Sequence, residues 1–249
     1  MRRFGLIGYP LGHSFSKKYF TAKFFNERIP DCSYDNYPLE SLDGFRDLIN
    51  SEPDLAGLNV TIPYKSEIIR FLDTIDTEAK EIGAVNVLKI RRKKGEFEIS
   101  GFNSDVTGIR DSIAPFLPVI KQALVLGTGG SSKAVCYVLE KYGLIVLRVS
   151  RIRGTGVLNY RDVTAELLEK TDLIVNSTPL GMFPNTESSP EINYDLLDEK
   201  HILFDLVYNP EITSFLKMGQ ERGCRVVSGI KMLHSQAERS WEIWNSGNV

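Results

Sequence analysis

Apolar and polar positions alternate along this chain with two different periods, and the switches between periods mark its elements. In the first hundred residues, RRFGLIGYP (2–10) predicts a strand, SKKYFTAKFFNER (16–28) a helix, DLAGLNVTIP (54–63) a strand and KSEIIRFLD (65–73) a helix. Within the second strand Leu58, Val60 and Ile62 alternate with Asn59 and Thr61, the pattern of a half-buried strand, and Pro63 ends the ladder because it has no N–H to donate. Asn59 and Thr61 therefore share one face, with Lys65 just beyond it. The segment 83–103 predicts two strands joined around Lys94 and Gly95, and its basic run Arg91–Lys94 reads as a solvated sheet edge.

A second series begins at Gln122. QALVLG (122–127), LIVLRVS (144–150), DLIVNSTP (172–179), HILFDLVYNP (201–210) and CRVVSG (224–229) predict strands, with helices over 131–143 and 164–171. Continuous apolar strands of this kind belong to a parallel sheet covered on both faces. In the last stretch Leu233, Ala237, Trp241 and Trp244 keep helical spacing. The whole predicts an α/β protein of two domains: residues 1–104, on which a C-terminal helix 230–249 packs back, and a Rossmann-like domain of residues 105–229.

Composition narrows the function. The chain has 249 residues, 42% hydrophobic and 25% charged, with a formal net charge of −2 and no long basic run, which gives a nucleic-acid backbone nothing to bind. No apolar stretch is long enough to span a membrane or form a signal-peptide core. Cys32, Cys136 and Cys224 are odd in number and far apart, which fits the reducing cytoplasm. His13, His201 and His234 are equally scattered, so no metal site is expected.

LVLGTGGSSKA sets Gly127, Gly129 and Gly130 directly after an apolar strand and before a helix that opens at Ser131. Glycines there let the backbone approach a pyrophosphate, and the helix N-terminus offers free N–H groups to it. Ser132 stands where a third glycine is usual, a position a small residue can fill. At the end of the next strand an acid would hold the ribose 2′-hydroxyl of NAD; this chain has Ser150, Arg151 and Arg153 instead, donors suited to the 2′-phosphate of NADP.

Polar residues of the first half collect at element ends: Ser14 and Ser16, Asn59, Thr61 and Lys65, Asn86 in GAVNVL and Asp105 in GFNSDVTG. Singly, Ser16 and Asp105 read as helix N-caps, Asn86 as a turn residue and Lys65 as a surface charge. Together with GHSFS, NVTIPYK, GTGGSSKA, NSTPLGM, DLVYNP and MLHSQA, in that order, the set resembles the shikimate dehydrogenase family over nearly the whole chain.

The resemblance implies reduction of 3-dehydroshikimate to shikimate by NADPH, in the pathway to chorismate and aromatic amino acids, within a cleft between the two domains. By its pattern Ser14, Ser16 and Tyr208 hold the substrate carboxylate, Asn59, Thr61, Asn86, Asp105 and Gln236 its hydroxyls, and Lys65 with Asp105 forms the catalytic pair. Gly127, Gly129, Gly130 and Ser131 then meet the pyrophosphate, Ser150, Arg151 and Arg153 the 2′-phosphate, and Thr178, Met182 and Gly229 the nicotinamide end. The expected assembly is a monomer or homodimer. The chain departs from the pattern between Arg153 and TDLIVNSTP, which is short enough to have lost a helix. It also has Ser150-Arg151-Ile152 where Asn-Arg-Thr is frequent, and Lys231 and His234 where smaller or apolar residues are expected. Two other readings share these motifs: a quinate or dual quinate/shikimate dehydrogenase, and a non-catalytic sensor of a nucleotide and a carboxylate.

Overall fold

The computed structural model describes residues 1–11, 15–93 and 96–247. Its strands are β1 Arg2–Gly8, β2 Cys32–Pro38, β3 Leu55–Val60, β4 Thr74–Ile75, β5 Val87–Lys93, β6 Glu96–Phe102, β7 Gln122–Leu126, β8 Ile145–Ser150, β9 Val157–Asn159, β10 Leu173–Asn176, β11 Ile202–Asp205 and β12 Arg225–Val227. The helices are α1 Phe15–Asn26, α2 Phe45–Ser51, α3 Thr77–Ile82, α4 Asp105–Ile113, α5 Gly130–Lys141, α6 Ala165–Glu169, α7 Ser214–Glu221 and α8 Gly229–Asn245. The chain divides into two compact units, Met1–Ser104 with Ala237–Val249, and Asp105–Gln236. The start of α8 belongs to the second unit and its later turns to the first.

The first unit holds a six-stranded sheet in the order β2-β1-β3-β5-β6-β4. The β2/β1, β1/β3 and β4/β6 pairs are parallel, while β3/β5 and β5/β6 are antiparallel. Alternate residues send apolar side chains to opposite faces. Ile7, Leu58, Val60 and Leu88 join Leu42, Phe45 and Ile68 on one face, and Phe4, Leu6 and Val87 join Phe20, Phe24 and Trp244 on the other. Of the last helix, the part from Ala237 onward belongs to this unit, while residues 230–236, expected with it, do not: Trp244 stacks on Phe4 with centroids 4.7 Å apart and donates its indole N–H to Leu88 O at 3.0 Å. Gly57 makes room for it, since a Cβ there would stand 2.3 Å from Trp244 Nε1.

Three expectations fail locally. The predicted helix 65–73 is a turn followed by a 3-10 helix at Glu67–Phe71; Leu72 leaves it extended, its amide bonded to Ile69 O and not one turn further back. The β3 strand is not half-exposed, because α8 covers its polar face and Asn59 is only 6% exposed. The arginines of the basic run are not merely solvated: Arg92 donates to the carbonyls of Ile49 and Glu52 at the end of α2, and Arg91 to Gly247 O. Lys94 and Gly95 lie outside the described residues.

The second unit holds a fully parallel sheet in the order β12-β11-β10-β7-β8-β9. Its strand order reverses between β7 and β10, the place where open α/β sheets bind ligands at the carboxyl ends of their strands. Leu124, Leu126, Val149, Ile174 and Leu203 form its core with Phe215 and Leu216 of α7. No helix lies between β8 and β9; residues 151–156 form a loop instead. Among the described residues no helix is long and apolar enough to cross a membrane.

Candidate active site

In the first unit polar side chains from α1, β2, β3, α8 and the segments before β5 and after β6 meet in one hydrogen-bonded cluster. Asn59 of β3 accepts the Tyr34 hydroxyl on Oδ1 at 2.8 Å, and its Nδ2 donates to Ser240 Oγ at 2.9 Å and Asn86 O at 3.3 Å. Asn86, in the turn before β5, accepts Ser104 N–H at 2.7 Å and donates Nδ2–H to Ser104 Oγ at 3.1 Å; Ser104 Oγ lies 3.1 Å from Ser240 Oγ. Ser16, in the first turn of α1, hydrogen-bonds to Tyr34. Burial pushes the Tyr34 phenol far above its ordinary ionisation, so it stays a neutral donor.

This cluster contains three of the expected substrate residues, Ser16, Asn59 and Asn86, and changes the reading of one. Both amide hydrogens of Asn59 are spent on protein partners, so its side chain holds Tyr34, Asn86 and Ser240 in place. Thr61 and Lys65 follow β3 and are half-buried. Their backbone is pinned to the sheet, Thr61 N–H to Ile7 O at 2.9 Å and Lys65 O to Val85 N–H at 2.7 Å. Ser14 lies outside the described residues. Tyr34 and Ser240 lie in no motif and Ser104 stands inside GFNSDVTG beside Asp105; sequence reasoning missed all three.

Asp105 opens the second unit as the first residue of α4, inside the helix and not its cap, and is 3% exposed. A carboxylate in a first turn faces the positive end of the helix dipole. At the other end of the unit, Gln236 donates Nε2–H to Leu233 O at 3.1 Å on α8, while Lys231 and His234 are exposed on the same helix.

The glycine-rich turn sits at the point where the sheet order reverses. Gly127 has φ +118°, and a Cβ there would stand 2.7 Å from Ser177 Oγ, so the turn admits only glycine. Gly129 caps α5 without any side-chain hydrogen bond, and a Cβ on it would meet nothing within 4 Å. There is thus open space beside Gly129 at the start of α5, whose first turn contains Ser131, and a helix N-terminus of this kind is where a pyrophosphate is received. Ser132, at the usual third-glycine position, is buried and donates its hydroxyl to Gly127 O at 2.7 Å.

Beside it, the ends of β10 and β11 share a second cluster. Asp205 Oδ1 accepts from Asn176 Nδ2 at 3.0 Å and Val207 N at 2.9 Å, and its Oδ2 from Thr213 Oγ1 at 2.6 Å. Asn176 Oδ1 accepts the hydroxyl and N–H of Thr178 at 2.6 and 3.1 Å. Burial pushes the Asp205 carboxyl up to about 6. Tyr208 follows, half-buried, its phenol also raised by burial. Met182 is exposed, and Gly229 is packed so that a Cβ would meet Leu206 O and Val207 O at 2.7 Å.

At the end of β8, Ser150 is half-buried and Arg151 exposed. Arg153 is paired with Asp162, whose carboxyl it holds below the usual carboxylate range. Among the described residues no group of three or more His, Cys, Asp or Glu side chains could hold a metal ion.

A parallel sheet with a glycine turn at its reversal point and no acid after the second strand defines a dinucleotide-binding α/β protein with basic donors at the ribose end. Residues 6–88 match the model of the shikimate dehydrogenase substrate binding domain. The NADP+ shikimate dehydrogenase of Methanococcus aeolicus is 36% identical, over 96% of this chain and 90% of that protein. Among solved structures, shikimate dehydrogenase 1 of Peptoclostridium difficile superposes with a TM-score of 0.86 at 32% identity, covering 100% of this chain and 93% of the other. The Thermus thermophilus shikimate 5-dehydrogenase in complex with NADP(H) and shikimate gives 0.85 at 29% identity, covering 98% and 94%. The chain belongs to the shikimate dehydrogenase family.

Proposed function

We propose that this protein reduces 3-dehydroshikimate to shikimate with NADPH, in the cytoplasm. The observation that carries the reading is the glycine turn at the sheet's reversal point, with Ser150 and Arg151 in place of an acid at the end of β8, in a chain of this family. Three free cysteines, two of them buried, suit a reducing compartment.

The nicotinamide, when bound, supplies the hydride. The chain's own residues do the rest. Hydride arrival at a ketone carbon leaves an alkoxide, and the Lys65 ammonium gives that oxygen a proton while stabilising its charge. Asp105, fixed in the first turn of α4, orients Lys65 and the reacting hydroxyl. Ser14, Ser16 and Tyr208 bind the carboxylate, and Thr61, Asn86 and Gln236 the remaining hydroxyls. Asn59 supports them by holding Asn86 and, through Tyr34, Ser16. The N–H groups of Gly129, Gly130 and Ser131 take the pyrophosphate, Ser150 and Arg151 the 2′-phosphate, and Thr178, Met182 and Gly229 border the nicotinamide. Arg153 reaches the phosphate only by leaving Asp162.

The test follows NADPH absorbance with purified protein and 3-dehydroshikimate. Turnover is expected, and Lys65→Ala should lower kcat by roughly a thousandfold, in the range for loss of a positioned proton donor, while KM changes by less than about threefold. Absence of turnover would favour the sensor reading, and an unchanged kcat would return Lys65 to the surface.

A further inference from the structure

Neighbouring parallel strands ordinarily need a crossover of about a dozen residues or more, most often a helix. Here β8 and β9 are parallel neighbours, yet only residues 151–156 join them and no helix is formed. The end of β8, where Ser150 and Arg151 stand, therefore lacks the helix that would pack behind it. Beside its ladders with β7 and β9, a side-chain amide ties it down.

Asn159 lies opposite Ser150 in the β8/β9 ladder. Its Nδ2 donates to Arg151 O at 2.7 Å and to Ser150 O at 3.4 Å. Its Oδ1 accepts Arg161 N–H at 3.1 Å, and its own N–H goes to Asp162 Oδ2 at 2.7 Å, closing a capping box on the 3-10 turn Tyr160–Asp162. One amide thus ties the loop after β8 to the turn after β9. Between them lies a cavity of about 630 Å³ lined by Arg151, Asn159, Tyr160, Arg161, Asp162 and Glu191, with Arg153 beside its partner Asp162. Arg151 and Arg161 form no ion pair among the described residues, so their guanidinium groups are the ones available to an anion, against the opposing charge of Glu191.

Resting on the NADPH reading above, we propose that Asn159 is a positioning residue for the cofactor's 2′-phosphate. By holding two successive carbonyls it fixes the peptide planes from which the Ser150 hydroxyl and the Arg151 guanidinium project. A guanidinium on an unsupported loop would spend binding energy on ordering that loop. The amide does in this chain what a crossover helix does elsewhere.

The test is calorimetric binding of adenosine 2′,5′-bisphosphate and of adenosine 5′-monophosphate to the full chain, with KM for NADPH and NADH alongside. Asn159→Ala should weaken the bisphosphate about tenfold, the scale of one or two lost hydrogen bonds, and the monophosphate less than about twofold. Asn159→Leu keeps the branched outline without the hydrogen bonds and should do the same, and the place of residue 159 on edge strand β9 guards against a variant that fails to fold. KM should rise for NADPH and not for NADH. Equal losses for both nucleotides, or none for the bisphosphate, would overturn the proposal. A wild-type protein that does not distinguish the two nucleotides would remove the NADPH reading and this inference together. If Arg151→Ala abolishes the distinction and the Asn159 variants keep it, the inference alone falls.

Discussion

Each unit buries one polar cluster, the first around Asn59 near the carboxyl end of β3 and the second at the carboxyl ends of β10 and β11, and the two are built on opposite principles. In the first unit Tyr34, Asn59, Asn86, Ser104 and Ser240 are all neutral, and donors meet acceptors without any charge. In the second, Asn176, Thr213 and the Val207 amide converge on the carboxylate of Asp205, and Thr178 joins through Asn176 Oδ1. A neutral cluster keeps its geometry across a wide range of pH, and its cost appears only when a partner is lost. A buried carboxylate makes stronger hydrogen bonds, but its charge is penalised by burial, so its stability contribution depends on pH. The neutral design stands behind the residues proposed to bind substrate, and the charged one behind Thr178 and Tyr208.

The largest expected effect breaks the neutral cluster at its centre. Asn59→Ala removes the partner of the Tyr34 hydroxyl and both amide donations, leaving Asn86 O and Ser240 Oγ each short of one bond. At roughly 1–3 kcal/mol for each buried group left unsatisfied, partly offset by rearrangement of Ser240 toward Ser104, the loss should be about 3 kcal/mol in denaturant unfolding. A loss below about 1 kcal/mol would mean that water replaces the amide, and the cluster would not be the closed unit described here.

A smaller cut sharpens the same point. Tyr34→Phe keeps the ring, which stacks on Phe20 with centroids 4.7 Å apart, and removes only the hydroxyl between Ser16 and Asn59. The expected cost is about 2 kcal/mol, and it should be constant from pH 5 to pH 8 because burial keeps the wild-type phenol un-ionised. The check is the denaturation midpoint at several pH values; a cost that varies across that range would bring an ionising group into the cluster.

The sequence made the second unit more legible than the first. Its strands are continuous apolar runs, so QALVLG and DLIVNSTP found their places, whereas β2, with the polar sequence CSYDNYP, gave no periodic signal. The run KSEIIRFLD misled because Ile68, Ile69, Phe71 and Leu72 satisfy a helical stripe that the chain realises in one 3-10 segment. Tyr34 went unseen because it stands among the polar residues of β2, which look like surface, and Ser104 because Asp105 beside it drew the reading of GFNSDVTG. Ser240 did leave a trace: a small polar residue set on the apolar stripe of Ala237, Trp241 and Trp244 is a sign of a buried hydrogen bond. Asp205 left a similar one, as the only charge closing the apolar run ILFD. The role of Asn159 was not legible at all, since it depends on a missing helix and on a register that only the folded sheet defines.

The smallest expected effect tests the charged cluster. Burial raises the folded pKa of Asp205 from 3.8 to about 6, so the folded state binds a proton more tightly than the unfolded chain. The stability from that proton is fully present below about pH 4 and is lost as pH rises through 6. Between pH 7 and pH 5 the wild type should therefore gain about 1 kcal/mol from this group. Asp205→Asn removes the titration while its amide can still accept from Asn176 and Val207 and donate to the Thr213 oxygen. The difference between wild type and variant, measured as unfolding midpoints at the two pH values, should shift in favour of the wild type at pH 5. A difference that stays flat would show that the three donors offset burial completely. The two clusters would then differ in composition alone and not in their response to acid.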